Sequence, residues 1–250
     1  MSDQFFSARP RLVSPSSDPC DITQPVRVPT RRVHIQARRV DGEPVSMDKQ
    51  VPATPLFEAA FGAFARGTIL QGKHGLIAIE DLTPEDLLLT ADGRHEPVLW
   101  VGAMDYAPSP KVARMPLVQV MPEAFGLARP ETSVTLGPFA RVLHSPPDQP
   151  GVFAKGKVMS PAAAFVDGDT VIDTLPPTDV KLYHVGVSRH AALIAGGLEI
   201  ESFHPGVQPL KDLPQTMRHL FRDLFPHVAA LPEFGPLHYA RADRATSLAL

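Results

Sequence analysis

Residues Phe57 to Met104 read FEAAFGAFARGTILQGKHGLIAIEDLTPEDLLLTADGRHEPVLWVGAM. Apolar residues come in short bursts: Thr68–Leu70, Leu76–Ile79, Leu87–Thr90 and Pro97–Val101. Turn formers stand between them: Gly72, Gly75, Pro84, Asp92-Gly93 and Gly102. Bursts this short, punctuated this often, predict the strands of a tightly turned all-β unit.

Downstream the pattern continues. Leu117–Val120, Ser133–Leu136 and Phe139–Leu143 are short β-type runs, the last followed by the breaker Ser145-Pro146-Pro147-Asp148. Lys157–Phe165 reads as a strand running into one helical turn opened by Ser160-Pro161. Val180–Val187, Ala191–Ile194 and Leu198–Phe203 complete the β region, with Gly196-Gly197 as a hairpin turn. After His204-Pro205-Gly206 the period changes: Met217, Leu220, Phe221 and Leu224 fall at i, i+3, i+4 and i+7. That spacing predicts one amphipathic helix, stopped at or before Pro226 and packed on its own domain. The last twenty residues carry no periodic signal.

Upstream, residues 1–50 read as a Pro/Arg-rich, largely disordered arm. The first 40 positions hold seven arginines, no lysine and three aspartates. Within the arm, Val33–Ala37 alternates like a single strand. The expected organisation is therefore an arm over 1–50, a β domain over 58–206 and a helical extension over 207–250.

Composition limits the function classes. A net charge of −3 over 250 residues implies no general affinity for nucleic acid or anionic membrane. The 28 prolines argue against long helices. One cysteine, Cys20, excludes an intramolecular disulfide and a multi-cysteine zinc site. The N-terminus has no basic segment followed by an apolar core, so the expected location is cytoplasmic or reached without a classical signal peptide. His184, His190 and His204 lie close in sequence, but no carboxylate or thiol recurs near them at ligand spacing, so no metal is expected. Glu80, Asp81, Glu85 and Asp86 surround Pro84 as turn chemistry with solvent-facing charge.

The opening stretch resembles that of Hint (hedgehog/intein) domains, most closely a bacterial branch. Three blocks carry the resemblance: Ala63–Thr68, Ile79–Thr90 and Pro97–Gly102; then Gly137–Leu143; then Leu182–Val185, Ser188–His190 and Ala195–Gly206. The resemblance implies a Hint-type pseudo-twofold horseshoe of short strands, no cofactor, and self-processing chemistry. In that chemistry a Cys or Ser attacks the carbonyl before it, and a hydroxyl-x-x-His group grips the scissile amide and protonates the departing nitrogen. Here the nucleophile position is Ala63, the hydroxyl position Gly137 and the acid position Ala140. Glu201-Ser202 stands where splicing inteins carry His-Asn.

The resemblance therefore implies a catalytically inactive binding or scaffold module, acting on a protein partner that the sequence does not name. Two other readings stay open: a self-processing domain that uses other residues, and an unrelated β-rich enzyme with a histidine site. Candidate pocket residues are Thr68, Arg141, His184 and His190. The small side chains at 63, 137 and 140 are expected to leave a pocket where the amide would otherwise be held.

Overall fold

The structure, a computed structural model, describes residues 29–107, 114–145, 156–206 and 213–242. Strands dominate. Upstream of the quoted stretch, β1 (Thr30–Arg38) and β2 (Pro44–Pro52) form an antiparallel hairpin, followed by the short helix α1 (Pro55–Ala59). The stretch itself supplies β3 (Phe64–Ala65), β4 (Ile69–Gly72), β5 (Gly75–Ala78), β6 (Leu87–Leu89) and the long β7 (His95–Tyr106). Then come β8 (Leu117–Val120), β9 (Val134–Leu136), β10 (Arg141–His144), β11 (Val158–Pro161) and β12 (Val171–Thr174). The series ends with β13 (Val180–Val187), β14 (Ala192–Ala195), β15 (Leu198–Glu201), α2 (Gln215–Arg222) and β16 (Ala240–Arg241).

Pairing is antiparallel throughout, except that β11 and β16 run parallel. The strands connect in the order β12-β8-β9-β3-β13-β7-β6-β4-β14-β15-β10-β11-β16, with β1 added to β7, β2 to β1 and β5 to β4. The chain is all-β with one C-terminal amphipathic helix. Gly196 and Gly197 both have positive φ, +56° and +88°, as a two-residue hairpin turn requires.

Two apolar clusters share the strands β7 and β13. The first gathers Ala63, Phe64, Leu136, Ala140, Val142, Val185 and Ile200. The second gathers Val33, Ile35, Phe57, Phe61, Trp100, Phe203, Phe221 and Phe225. Trp100 occupies the centre of the second. Its indole N–H donates to the Leu224 carbonyl at 2.7 Å, and its ring lies 5.5 Å from Phe61 and from Phe203. The ring lies across Gly102, two residues along the same face of β7. A Cβ at Gly102 would fall 2.2 Å from the Trp100 ring, so only glycine admits this tryptophan.

The arm boundary expected at residue 50 is corrected. Residues 1–28, with Cys20, lie outside the described residues, but 30–52 are sheet, not arm. Alternation runs along the whole of β1: Val33, Ile35 and Ala37 are buried, and these positions register against Met104, Gly102 and Trp100 of β7. Half-polar β2 then completes a hairpin whose inner strand is already paired. The terminal segment, without sequence periodicity, supplies β16, two residues too short to show a period. α2 and the turn after it present the expected face: Phe221 and, just past the helix, Leu224 are buried, and Met217 and Leu220 pack against the same cluster.

Candidate functional site

The three small residues converge on one peptide bond. The chain leaves α1 through Phe61-Gly62 and enters β3 at Phe64, leaving Ala63 at the junction. The Ala63 N–H donates to the Tyr183 carbonyl of β13 at 2.9 Å. On the other side, the Phe139 N–H donates to the Gly62 carbonyl at 3.1 Å and the Gly137 N–H to the Ala63 carbonyl at 2.7 Å. The turn 137–140 closes on itself through Ala140 N–H to the Gly137 carbonyl, 3.1 Å. Backbone donors and acceptors thus clamp the Gly62–Ala63 peptide with no side chain involved. Ala63 and Ala140 are buried in the same apolar cluster.

Gly137 makes this clamp fit. A Cβ there would stand 2.2 Å from the Gly62 oxygen, 2.6 Å from its carbon and 3.2 Å from the Ala63 nitrogen. The Gly62–Ala63 peptide occupies the space that a Cβ at 137 would need. Backbone fills the space beside Gly137, and a pocket lies beside Ala140.

This pocket has a volume of about 480 Å³ and is walled by α1, the 138–141 turn, β13, β15 and Arg241. Its polar corner centres on Glu201, at the end of β15. The Glu201 carboxylate accepts from Arg241 Nε at 2.8 Å and from His190 Nε2 at 2.7 Å, with Arg141 Nε at 3.7 Å. His190 Nδ1 accepts the His238 backbone N–H at 2.9 Å, so the ring proton sits on Nε2 and points at Glu201. Burial alone would raise the Glu201 carboxyl, but the His190 N–H and the Arg241 guanidinium outweigh it and hold it well below the usual carboxylate range. His184, on β13, donates from Nδ1 to the Ala59 carbonyl at 3.0 Å, and burial pushes its pKa down to about 4. His204 accepts the Gly206 N–H at Nδ1 and donates from Nε2 to the Gly235 carbonyl, both at 3.0 Å; burial lowers its pKa as well.

Of the four candidate pocket residues, Arg141 and His184 line this pocket. His190 does not reach the wall; it stands behind Glu201 and orients it. Thr68 is placed elsewhere. The chain reverses at Gly67, whose φ is +85°, and the Thr68 hydroxyl caps that turn by donating to the Ala65 carbonyl at 2.7 Å. The acidic cluster does serve turns: Asp86 accepts from the Thr83 N–H and hydroxyl, and Glu80 from the Gly67 N–H. Sequence reasoning missed Glu201 as the hub and Arg241 as its counter-ion. Glu201 carried a signal, standing in the block that closes the fold. Arg241 carried none, since it arrives on a two-residue strand 40 positions later. Among the described residues, no cluster of three or more His, Cys, Asp or Glu side chains is placed to hold a metal ion.

A family model described as Hint domain matches residues 62–207. Among solved structures, the chain is similar to the solution structure of a bacterial intein-like domain from Clostridium thermocellum, at 14% identity and TM-score 0.39 over 57% of this chain and 99% of that one. It is also similar to the MchDnaB-1 intein, at 17% identity and TM-score 0.36 over 56% of this chain and all of that one. A search of curated proteins returns no match.

Proposed function

The chain belongs to the Hint domain family, and from that premise we propose that it is a Hint domain that no longer processes itself and persists as a binding module. The observation that carries this reading is the occupant of position 63. Alanine has no lone pair with which to attack the Gly62 carbonyl, so the acyl shift has no first step. Ala140 likewise holds no proton for the departing nitrogen. Residues upstream of the would-be cleavage point add support: β1, α1 and Phe61 are built into the cluster around Trp100. The nearest hydroxyl along the chain, that of Thr68, is engaged with the Ala65 carbonyl.

Intact-mass analysis of the purified full-length chain, incubated with and without thiol and hydroxylamine, tests the reading. The expected result is one species of full mass in every arm. A fragment ending at Gly62 would sink the proposal and require another residue to supply the attack. Ala63→Cys alone is expected to give no trappable thioester, because the acid position is still empty.

A further inference from the structure

Strand β5 is an unguarded edge of the sheet. Among the described residues it pairs with β4 alone, so its other side is open. Edges of this kind are normally blunted by charge or proline. β2, the outer strand of the other hairpin, follows that rule with Pro44, Asp48, Lys49 and Pro52. β5 reads Gly75-Leu76-Ile77-Ala78 and carries neither. Leu76 is 74% exposed, and Ile69, on the same face of the β4–β5 hairpin, is 40% exposed.

The ladder fixes which main-chain groups face outward. The Ile79 N–H donates to the Thr68 carbonyl at 2.9 Å, so bonded pairs recur at every second residue, Leu70 with Ile77 and Gly72 with Gly75. Ile69 agrees: its carbonyl turns away from β5 and accepts the Gly196 N–H at 3.0 Å. Leu76 and Ala78 therefore point their N–H groups to the open edge, and Leu76 its carbonyl as well. The Ala78 carbonyl opens the turn Ile79–Asp81 and keeps a second lone pair.

These groups suit an identical strand running antiparallel about a twofold at Ile77. Leu76 then stands opposite Ala78 of the second copy, and Ala78 opposite its Leu76, so the donors and acceptors of both strands meet. Each such pair sets a large side chain against a small one. The two Ile77 side chains meet on the other face, at the closely spaced non-bonded position. The same twofold sets Lys73 of one copy against Asp81 of the other, once at each end of the ladder, because the two residues stand equally far from Ile77 in sequence. Both are exposed, and among the described residues neither has an ion-pair partner. A foreign extended segment would find the main-chain groups without this charge match. We propose that the chain associates with a second copy of itself through β5, as a twofold dimer whose sheets join edge to edge. The inference does not rest on the non-processing reading.

Sedimentation velocity of the full-length chain, from about 5 µM to about 500 µM, brackets the affinity of a weak complex. The ladder is short, so the dimer is expected to be half-formed on the order of 100 µM, as suits a small interface. Leu76→Lys charges the edge at an exposed position and is expected to weaken the dimer at least about tenfold. Lys73→Asp and Asp81→Lys each set like charges together at both ends, and each is expected to weaken it about fivefold. Combined in one chain, they are expected to restore it to within about twofold. Both charged residues lie in turns outside the strand, so this series decides even if Leu76→Lys disturbs the hairpin. In hydrogen exchange at high protein concentration, the N–H groups of Leu76 and Ala78 are expected to gain protection, while those of Gly75 and Ile77 keep theirs. A chain monomeric throughout the range, a dimer indifferent to Leu76→Lys, or single charge variants that have no effect or are not rescued by the double variant would each overturn the proposal.

Discussion

Gly137 and His227 show what single residues do here. Gly137→Ser returns the family's hydroxyl in name, yet its Cβ would meet the Gly62 oxygen at 2.2 Å. Backbone cannot give way as a flexible side chain can, so the variant is expected to lose about 1–3 kcal/mol in chemical denaturation. Unchanged stability would mean that the Gly62–Ala63 peptide readily steps aside. His227 poses a different problem. It is half-buried against Phe225 and Phe234, its buried Nδ1 has no hydrogen-bond partner among the described residues, and desolvation pushes its pKa down to about 4, as it does for His184. Both rings are neutral in the folded chain, whereas in the unfolded chain they take up a proton near pH 6.5. Folding stability is therefore complete above about pH 6.5 and falls as pH drops toward 4, by up to about 3 kcal/mol for each ring. His227→Phe is expected to flatten that slope. Denaturant midpoints at pH 7.5 and 5.0 measure it, and an unchanged difference between them would acquit His227.

At the level of elements, the β1–β2 hairpin acts as an extra layer of sheet. Ile35 is fully buried and registers against Gly102, across which the Trp100 ring lies. Ile35→Ala is expected to cost about 2–5 kcal/mol, as for other large core residues truncated to alanine. A loss under about 0.5 kcal/mol in urea unfolding would show that β1 is an ornament on β7. Helix α2 is eight residues long, too short to hold itself together in water, so tertiary packing must supply its stability. Phe221 packs edge-on to Phe57 at 5.5 Å, and the Leu224 carbonyl just after the helix takes the Trp100 N–H. This pairing ties a segment before residue 62 to one after residue 212 within the second cluster.

Over the whole molecule, the flanks of the matched region enclose it. Residues 30–61 and 213–242 lie outside the span 62–207, yet both enter the cluster around Trp100, and Arg241 enters the pocket corner. The upstream residues 30–61 are thus part of the folded body. Residues 63–250 expressed alone are expected to be poorly folded, with a broad and early thermal transition by circular dichroism. Co-expression with residues 1–62 is expected to recover a sharp one. A stable, cooperative 63–250 fragment would show the upstream segment to be dispensable.

The strand bursts, the hairpin glycines at 196 and 197 and the face of α2 were legible in the chain because each depends on near neighbours: alternation, turn geometry and helical period are local properties. The identity of positions 63, 137 and 140 was legible for the same reason, as residues within contiguous blocks. What those positions do in space was not. That the Gly62–Ala63 peptide fills the space a Cβ at 137 would need depends on a contact between Gly62 and Gly137, 75 residues apart. β2 and β16 were silent because a half-polar edge strand and a two-residue strand take their structure from the neighbour they pair with. The Glu201 corner was silent because its four side chains come from residues 141, 190, 201 and 241. Desolvation and charge pairing act through distance in the folded chain, and only the tertiary structure brings those four groups within reach of one another.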